Sequence, residues 1–409
     1  MSKKLSSKII KIVLIVFALF STIGCNSSQK NEQILNQKKE IALQNYISSL
    51  SASQKISQLF LVNIQGNKEF IPIEKSNGLN GTDDNSFLVP GGCLLFKYNI
   101  ADTKEDVKSF TDSIYAFYKK QNEVPPFIAI DQEGGSVNRL RGITDNFPSQ
   151  KTIAENYSLE EAENLYENQS LQMKQLGINM NLAPVVEVEN PSNKDFLGTR
   201  TFGSLEKVLS YGQKEISIFE KNNVATVLKH FPGNTNSDPH SLLPEISVSK
   251  NELYDLYIKP FSVLSKNSSA ILMSHAKVKI TDNADAECVP SCFSKYFIQD
   301  ILRNELNFEG LVISDDIFMA ALEKNGFPPE IAFEKAFYAG VDILMLSEKR
   351  FYNVAELILK KAENSAEFNL ILEKAVERVI RFKIKIGLLN FVQTDENETS
   401  AKKIEFILR

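Results

Sequence analysis

Residues 224–240 read VATVLKHFPGNTNSDPH, and this stretch joins an apolar, β-branched run to a polar loop. The run predicts a strand that is covered on both faces, and it ends in Lys229 and His230 before a Phe-Pro-Gly break. The loop closes on Asp238 and His240, so the stretch contains two of the three histidines in the chain. A lysine and an imidazole at a strand end, followed by a second imidazole near a carboxylate, predict a catalytic loop.

Seven further apolar runs predict the strands that surround this one. The eight predicted strands are 58–64, 93–98, 127–131, 179–186, 224–230, 270–278, 311–315 and 341–346. Helical periodicity is found between them at 102–120, 158–175, 205–221, 249–265, 294–306 and 328–338, and residues 351–388 predict helix to the end of the domain. Such alternation over roughly 340 residues favours an α/β fold, a (β/α)8 TIM-type barrel with a single catalytic domain. A doubly wound open sheet is the main alternative, and no phosphate-binding glycine fingerprint supports it.

Charged and polar residues recur where the predicted strands end. The third, fifth, sixth and seventh strands end in Asp131, Lys229, His230, His275, Asp315 and Asp316. In a barrel the carboxyl ends of the strands form the active-site face, so these side chains are expected to converge on one pocket. A carboxylate with a lysine nearby should stay ionised, which suits Asp315 as a nucleophile or electrostatic stabiliser. Asp316 is the better candidate to cap the helix that follows.

Two arginines have both a binding and a structural interpretation. Asp131 begins the turn DQEGGSVNR, which ends in Arg139, and Arg200 lies in GTRTFG. Asp131 could accept hydrogen bonds from neighbouring hydroxyl groups, and each guanidinium could donate to hydroxyl or carbonyl oxygens. The alternative is a structural pair between Asp131 and Arg139 that tightens the turn.

Composition excludes some classes of protein. The chain has 409 residues, 43% of them hydrophobic, with 18 glycines and 14 prolines, which is an ordinary globular composition. Its formal charge is −5, and without residues 1–24 there are 42 basic against 51 acidic residues. An acidic chain without basic clusters is a poor ligand for nucleic acid, so we expect no nucleic-acid partner.

The amino terminus has the pattern of an export signal. Four lysines precede an apolar run at 12–24, which is too short to span a bilayer as a mature helix. The run ends in Thr-Ile-Gly-Cys25 and resembles a bacterial lipoprotein signal, although Thr22 stands where leucine is usual. The resemblance implies cleavage before Cys25, lipidation of its sulfur and a protein anchored to a membrane surface outside the cytoplasm. The alternative is a plain secretory signal with an incidental cysteine.

The domain boundaries follow from these patterns. We expect a signal peptide at 1–24, a polar tether at 25–45, the barrel at 46–389 and a C-terminal tail at 390–409. Cys93 is predicted to be a buried thiol, and Cys288 and Cys292 could form a disulfide, for which their spacing is weak support. No cysteine or histidine cluster has the spacing of zinc ligands.

Six motifs, in order, resemble glycoside hydrolase family 3. They are IDQEGG (130–135), LAPVVEV (182–188), GTRTFG (198–203), KHFPG (229–233), the Asp-x-His pair (238–240) and VISDD (312–316). The resemblance covers residues 50–389 and is most similar to bacterial exo-β-N-acetylglucosaminidases of that family. It implies a barrel, a carbohydrate substrate with terminal β-linked N-acetylglucosamine, and hydrolysis with retention of anomeric configuration. Neither a metal nor an organic cofactor is expected, since this hydrolysis requires none.

The same resemblance assigns roles to individual residues. Asp315 matches the nucleophile that forms the covalent glycosyl-enzyme, and His240 matches an acid/base histidine that is paired with Asp238. The residues that match the sugar-binding set are Asp131, Arg139, Arg200, Lys229 and His230. His275 has no catalytic counterpart and is expected to be a hydrogen-bonding residue at a strand end.

The loop departs from the family pattern. Asn234 replaces a histidine, Pro239 replaces a serine, and the loop is two residues shorter than usual. Proline disfavours helical geometry at Asp238, so the geometry of the Asp238–His240 pair is less constrained by the resemblance than the nucleophile. A related β-glucosidase, a phosphorylase, and a non-catalytic sugar-binding lipoprotein remain as alternatives. Only residues 390–409 follow the predicted barrel, which favours a proton donor from a barrel loop.

Overall fold

The computed structural model describes residues 32–73, 88–237, 242–283, 287–392 and 403–406, and a closed barrel of eight parallel strands forms its centre. The strands are Phe60–Asn63, Gly92–Leu95, Phe127–Ile130, Met180–Asn181, Ala225–Phe231, Ala270–Met273, Leu311–Asp316 and Ile343–Ser347. Neighbours in the barrel follow chain order, and the first strand also pairs with the eighth through Phe60 and Leu344. The predicted (β/α)8 barrel is therefore confirmed.

Two predicted strands are shorter than expected. The run 179–186 is strand only at Met180–Asn181, because the Ala183-Pro184 step follows and proline has no N–H for a ladder bond. The run 270–278 leaves the barrel after Met273. Residues Lys277–Ile280 instead pair in parallel with Glu245–Val248 in a separate two-stranded sheet.

Helices surround the barrel, and each segment with predicted helical periodicity contains helix. Four short helices were not predicted: Ala52–Ser57, Gln150–Asn156, Lys194–Leu197 and Ala320–Lys324. The α-helices are Ala52–Ser57, Lys104–Lys120, Gln150–Asn156, Leu159–Gln175, Lys194–Leu197, Leu205–Lys221, Lys250–Glu252, Lys259–Leu264, Ala320–Lys324, Pro329–Ala339, Glu348–Asn364 and Ala366–Lys385. Two segments are π-helical, Leu253–Ile258 and Tyr296–Glu305, and three short 3-10 turns are Lys97–Asn99, Ser265–Asn267 and Ser291–Phe293. The predicted helix at 351–388 is divided at Ser365, whose side chain accepts the Phe368 N–H and begins a new helix.

The last helix closes the barrel end opposite to the predicted site. Lys383 in this helix is 0% exposed, and its Nζ lies 2.5 Å from the Gln58 Oε1. The ammonium also lies 5.9 Å from the centroid of the Phe127 ring, at the start of the third strand. Burial lowers the pKa of Lys383 to about 7, because no carboxylate in this part of the structure offsets the loss of solvation.

Residues outside the barrel domain form a second unit. Among described residues it comprises 32–49, 390–392 and 403–405, and residues 32–49 are helical. Leu389–Val392 and Lys403–Phe406 pair as a two-stranded sheet. In the ranges that the structure describes, no helix combines the length and apolar character needed to cross a bilayer. The predicted signal peptide and Cys25 lie outside those ranges.

Candidate active site

The fifth strand brings a buried lysine to the carboxyl end of the barrel. Every residue of Ala225–Phe231 is buried, and Lys229 is 2% exposed. Its Nζ lies 2.7 Å from the Asp131 Oδ1 and 2.6 Å from the Glu133 Oε1. Burial opposes the charge of Lys229, but the two carboxylates outweigh it and raise its pKa. The predicted convergence of the third and fifth strands is thus observed.

Arg200 completes this network through Glu133. Its Nε and Nη2 donate to the two carboxylate oxygens of Glu133 at 2.8 and 2.9 Å, which is a bidentate pair. Burial would raise the pKa of Glu133, yet the Lys229 charge and the Arg200 hydrogen bond lower it to about 2. Two cations and two carboxylates therefore balance in charge. Asp131 and Arg200 keep 19% and 22% of their side-chain surface exposed, so polar groups of the network reach the solvent side.

Glu133 was not among the predicted site residues, although it lies within the IDQEGG motif. Asp131 and Glu133 are two positions apart in an extended segment, which places both side chains on one face. That spacing was the available signal. Because Asp131 binds Lys229, the structural pair with Arg139 that would tighten the turn is not formed.

Arg139 lies beside an aromatic ring at the edge of this site. Its guanidinium carbon is 6.0 Å from the centroid of the Phe96 ring, and the residue is half-buried. The buried Nε has no hydrogen-bond partner among the described residues. A buried donor without a partner is costly in a folded protein.

A second missed carboxylate, Glu187, contacts the start of the predicted catalytic loop. Its Oε1 lies 2.7 Å from the His230 Nδ1, and its Oε2 accepts the Asn234 backbone N–H at 2.6 Å. The Asn234 side chain also donates to Oε1 at 3.3 Å. The asparagine that replaces the usual histidine of the family therefore anchors the loop to Glu187. This contact leaves the His230 Nε2 as the ring atom that remains for a ligand.

Asn236 fixes the loop at a further point. Its backbone N–H donates to the Ser192 carbonyl at 2.6 Å, and its Oδ1 accepts the Asp195 N–H at 2.9 Å. The described part of the loop is thus attached on both sides of Thr235. Asp238 and His240, the predicted acid/base pair, lie outside the described residues.

Asp315 is half-buried near the end of the seventh strand, where its Oδ1 accepts the Asp316 N–H at 2.9 Å. The Asp316 Oδ1 accepts the Phe318 N–H at 2.9 Å. The next helix begins after Met319, without a side-chain cap, so Asp316 stabilises a turn and the expected helix-capping role is wrong.

His275 is confirmed as a hydrogen-bonding residue at a strand end. Its Nε2 lies 2.9 Å from the Asp316 carbonyl oxygen, and its Nδ1 lies 3.2 Å from the Cys292 Sγ. The suggested disulfide is wrong: Cys288 is exposed, Cys292 is buried, and both are free, as is the buried Cys93. Over the described ranges, no group of three or more His, Cys, Asp or Glu side chains is arranged to hold a metal ion.

These features define a class, a (β/α)8 barrel whose strand ends carry a charge-balanced polar site together with a strand-end carboxylate. The model of the glycosyl hydrolase family 3 N-terminal domain matches residues 53–382. The chain therefore belongs to glycoside hydrolase family 3, and the resemblance of the six motifs is confirmed.

Individual relatives agree with this family. The chain is 28% identical to β-hexosaminidase A of Pseudoalteromonas piscicida over 321 residues, which cover 72% of this chain and about half, 53%, of that protein. It is 30% identical to the β-hexosaminidase of Haemophilus influenzae (strain Rd) over 288 residues, 68% of this chain and 78% of that protein. A family 3 β-N-acetylglucosaminidase structure from Paenibacillus sp. FPU-7 matches with a TM-score of 0.72 and 26% identity, covering 86% of this chain and 66% of that one.

Proposed function

We propose that this protein is a retaining exo-glycosidase that removes terminal β-linked N-acetylglucosamine from glycans or peptidoglycan fragments. The observation that carries the proposal is the Asp131–Lys229–Glu133–Arg200 network at the strand ends, on the same barrel face as Asp315. A charge-balanced set of donors and acceptors suits an uncharged sugar with several hydroxyl groups. The names of the β-hexosaminidase and β-N-acetylglucosaminidase relatives support this choice of sugar.

The sugar would be bound by residues of this network together with Arg139 and His230. Asp131 accepts hydrogen bonds from hydroxyl groups, and Lys229, Arg200 and Arg139 donate to sugar oxygens. His230 donates or accepts through Nε2, because Nδ1 is engaged by Glu187. No metal ion or organic cofactor takes part in this scheme.

The reaction would proceed in two displacements. An oxygen of Asp315 attacks the anomeric carbon, the bond to the leaving-group oxygen breaks, and His240 gives that oxygen its proton. Water then attacks the glycosyl–Asp315 ester, His240 takes a proton from the water, and Asp315 leaves as carboxylate. Asp238 would hold the imidazole in orientation and stabilise its protonated form. A histidine in this role replaces the second carboxyl group that most retaining glycosidases use.

The substrate and the mechanism are tested together with aryl glycosides. Purified wild-type protein and Asp315→Asn are assayed on aryl β-N-acetylglucosaminide and aryl β-glucoside, each with and without phosphate. We expect hydrolysis of the N-acetylglucosaminide alone, no dependence on phosphate, and loss of activity in Asp315→Asn. A phosphate requirement would indicate a phosphorylase, and sugar binding without turnover would indicate a binding protein. Equal activity of Asp315→Asn and wild type would exclude the nucleophile assignment.

The role of His240 has a separate test. His240→Ala should lose far less activity on an aryl glycoside whose leaving group needs no protonation than on a natural disaccharide. A matched control is Asn236→Ala, which weakens the attachment of the same loop and retains the imidazole. Equal losses of His240→Ala on both substrates would contradict proton donation.

We also propose that the protein is exported and anchored to a membrane surface by lipid on Cys25. The proposal rests on the lipoprotein-like signal at 1–24, which is followed directly by Cys25, and on the polar character of the residues that come after it. Expression of full-length protein and Cys25→Ser, followed by membrane fractionation and mass measurement of the mature terminus, tests it. Equal membrane association of the two proteins would exclude the lipid anchor.

A further inference from the structure

The pairing of the seventh strand becomes irregular around Asp315. On the side of the sixth strand, the last paired residue is Ile313, opposite Leu272. On the side of the eighth strand, the register shifts between Ile313 and Asp316, and the Ser314 Oγ accepts the Met345 N–H at 3.1 Å. The main chain at Ser314 and Asp315 is therefore the irregular part of the ladder, and pairing with the eighth strand resumes at Asp316, opposite Met345.

A buried pair of side chains supplies a contact at this point. His275 is 1% exposed and Cys292 is 0% exposed. The Nε2 of His275 lies 2.9 Å from the Asp316 carbonyl oxygen. A carbonyl oxygen only accepts, so Nε2 carries a proton, and Nδ1 is the ring nitrogen that faces the Cys292 thiol. The Cys292 thiol, 3.2 Å from Nδ1, is then the donor that fixes this tautomer.

The thiol is held in place and stays protonated. Cys292 lies in the 3-10 turn Ser291–Phe293, and the backbone N–H of Ser291 donates to the Ala276 carbonyl at 2.9 Å. The Ser291 hydroxyl donates to the same oxygen at 2.5 Å. Burial, and then the negative charge of Asp315, raise the pKa of the Cys292 thiol well above its ordinary value. The thiol therefore remains an S–H donor over the working range of pH.

Residue 316 connects this pair to the nucleophile. Its carbonyl oxygen accepts from His275, and its N–H donates to the Asp315 Oδ1 at 2.9 Å. We propose that Cys292 and His275 are positioning residues that hold the Asp316 backbone, so that Oδ1 of Asp315 stays occupied and Oδ2 faces the anomeric carbon. The proposal rests on the proposed function, because it requires Asp315 to be the nucleophile.

Two matched variants of Cys292 test the proposal. Cys292→Ser keeps a hydroxyl donor to Nδ1, and Cys292→Ala removes the donor with little change in volume. On an aryl β-N-acetylglucosaminide we expect Cys292→Ala to lower kcat roughly tenfold or more with KM almost unchanged, since misplaced reacting groups slow the chemical step. Cys292→Ser should recover most of that loss. Equal kcat for the two variants, or a loss confined to KM, would overturn the proposal, and the unfolding temperature of each variant identifies a general folding defect.

A second comparison separates positioning of the carboxylate from a general structural effect. In Asp315→Gly, an added azide ion can replace the carboxylate, attack the anomeric carbon and release the aryl group as a glycosyl azide forms. In this background no carboxylate remains to be positioned, so the Cys292→Ala effect should disappear within about twofold. An unchanged tenfold effect would refute positioning. Failure of azide to restore turnover, or full activity of Asp315→Gly, would count against the nucleophile assignment and hence the proposed function.

Discussion

Replacement of the buried Lys383 by methionine should stabilise the protein at neutral pH and do so less at alkaline pH. Burial lowers the pKa of this lysine from 10.5 to about 7. A difference of that size corresponds to a cost of ~5 kcal/mol for burying the charged form. At pH 7 the buried amine is about half protonated, so roughly 4 kcal/mol of that cost is present. Methionine has a similar length and no charge.

The substitution also removes a hydrogen-bond donor. Gln58 is 1% exposed and its Oε1 accepts from the Lys383 Nζ. An unsatisfied buried acceptor costs about 1–3 kcal/mol, so the net gain at pH 7 is roughly 1–3 kcal/mol. The folded pKa lies below the unfolded one, so the unfolded state binds more protons between pH 7 and 10.5. The unfolding free energy of the wild type therefore increases relative to that of the variant as pH rises, by roughly 2 kcal/mol from pH 7 to 9.

The assay is paired urea unfolding of wild type and Lys383→Met, followed by circular dichroism at pH 6, 7, 8 and 9. The difference between the two proteins should be largest at pH 6 and 7 and close to zero at pH 9. Lys374→Met is a matched control, because Lys374 is exposed on the same helix and its substitution should give a difference that is small and independent of pH over this range. If the difference in unfolding free energy between wild type and Lys383→Met stayed constant from pH 7 to 9, the lowered pKa of Lys383 would be refuted.

Substitutions at three further residues address the end of the barrel where the strands carry the polar network. Glu133→Gln removes the carboxylate shared by Lys229 and Arg200. It should raise KM for the aryl N-acetylglucosaminide at least tenfold, because the buried Lys229 loses one of its two carboxylate partners and the partly exposed Arg200 loses its bidentate partner. An unchanged KM would contradict the binding role. Glu187→Gln should lower kcat/KM roughly tenfold or more, because it weakens the contacts that hold His230 and Asn234. Glu187→Asp keeps the carboxylate and should have an intermediate kcat/KM in steady-state kinetics. A kcat/KM of Glu187→Asp no higher than that of Glu187→Gln would contradict a role for the carboxylate charge. Asn236→Ala should lower kcat by a few fold and change the free energy of unfolding by about 1 kcal/mol or less. Limited proteolysis should cleave the variant within residues 234–242 faster than wild type, because the loop has lost an attachment. Identical cleavage of the two proteins would contradict this attachment.

The sequence predicted the barrel well because its two periodicities are local. Each buried parallel strand reads as a short apolar run, and each covering helix repeats its apolar residues every three or four positions. The same pattern predicts where the strands end, and it therefore places Asp131 and Lys229 at the same face of the barrel. The run at 179–186 was extended too far, because apolar residues after Pro184 are buried in a loop that has the composition of a strand.

The supporting carboxylates were harder to predict. Glu133 was separated from Asp131 by one residue, and period-two alternation would have placed it on the same face. Glu187 follows its strand by several residues, so its contact with His230 depends on how the intervening chain turns. The contact of His275 with Cys292 depends likewise on a turn 17 residues away. No local sequence pattern predicts such contacts, because these residues are separated along the chain and approach each other only in the folded protein.

Lys229 and Lys383 are both buried, and they show how the surroundings of a lysine at opposite ends of the barrel set its charge. Lys229 is surrounded by two carboxylates and keeps its proton, whereas Lys383 has an amide and an aromatic ring as neighbours and gives its proton up near neutrality. Lys229 therefore stays protonated near neutral pH, whereas Lys383 at the opposite end of the barrel changes its charge there. Engineering for thermal stability can therefore begin at Lys383, at the barrel end opposite to the Asp131–Lys229–Glu133–Arg200 network.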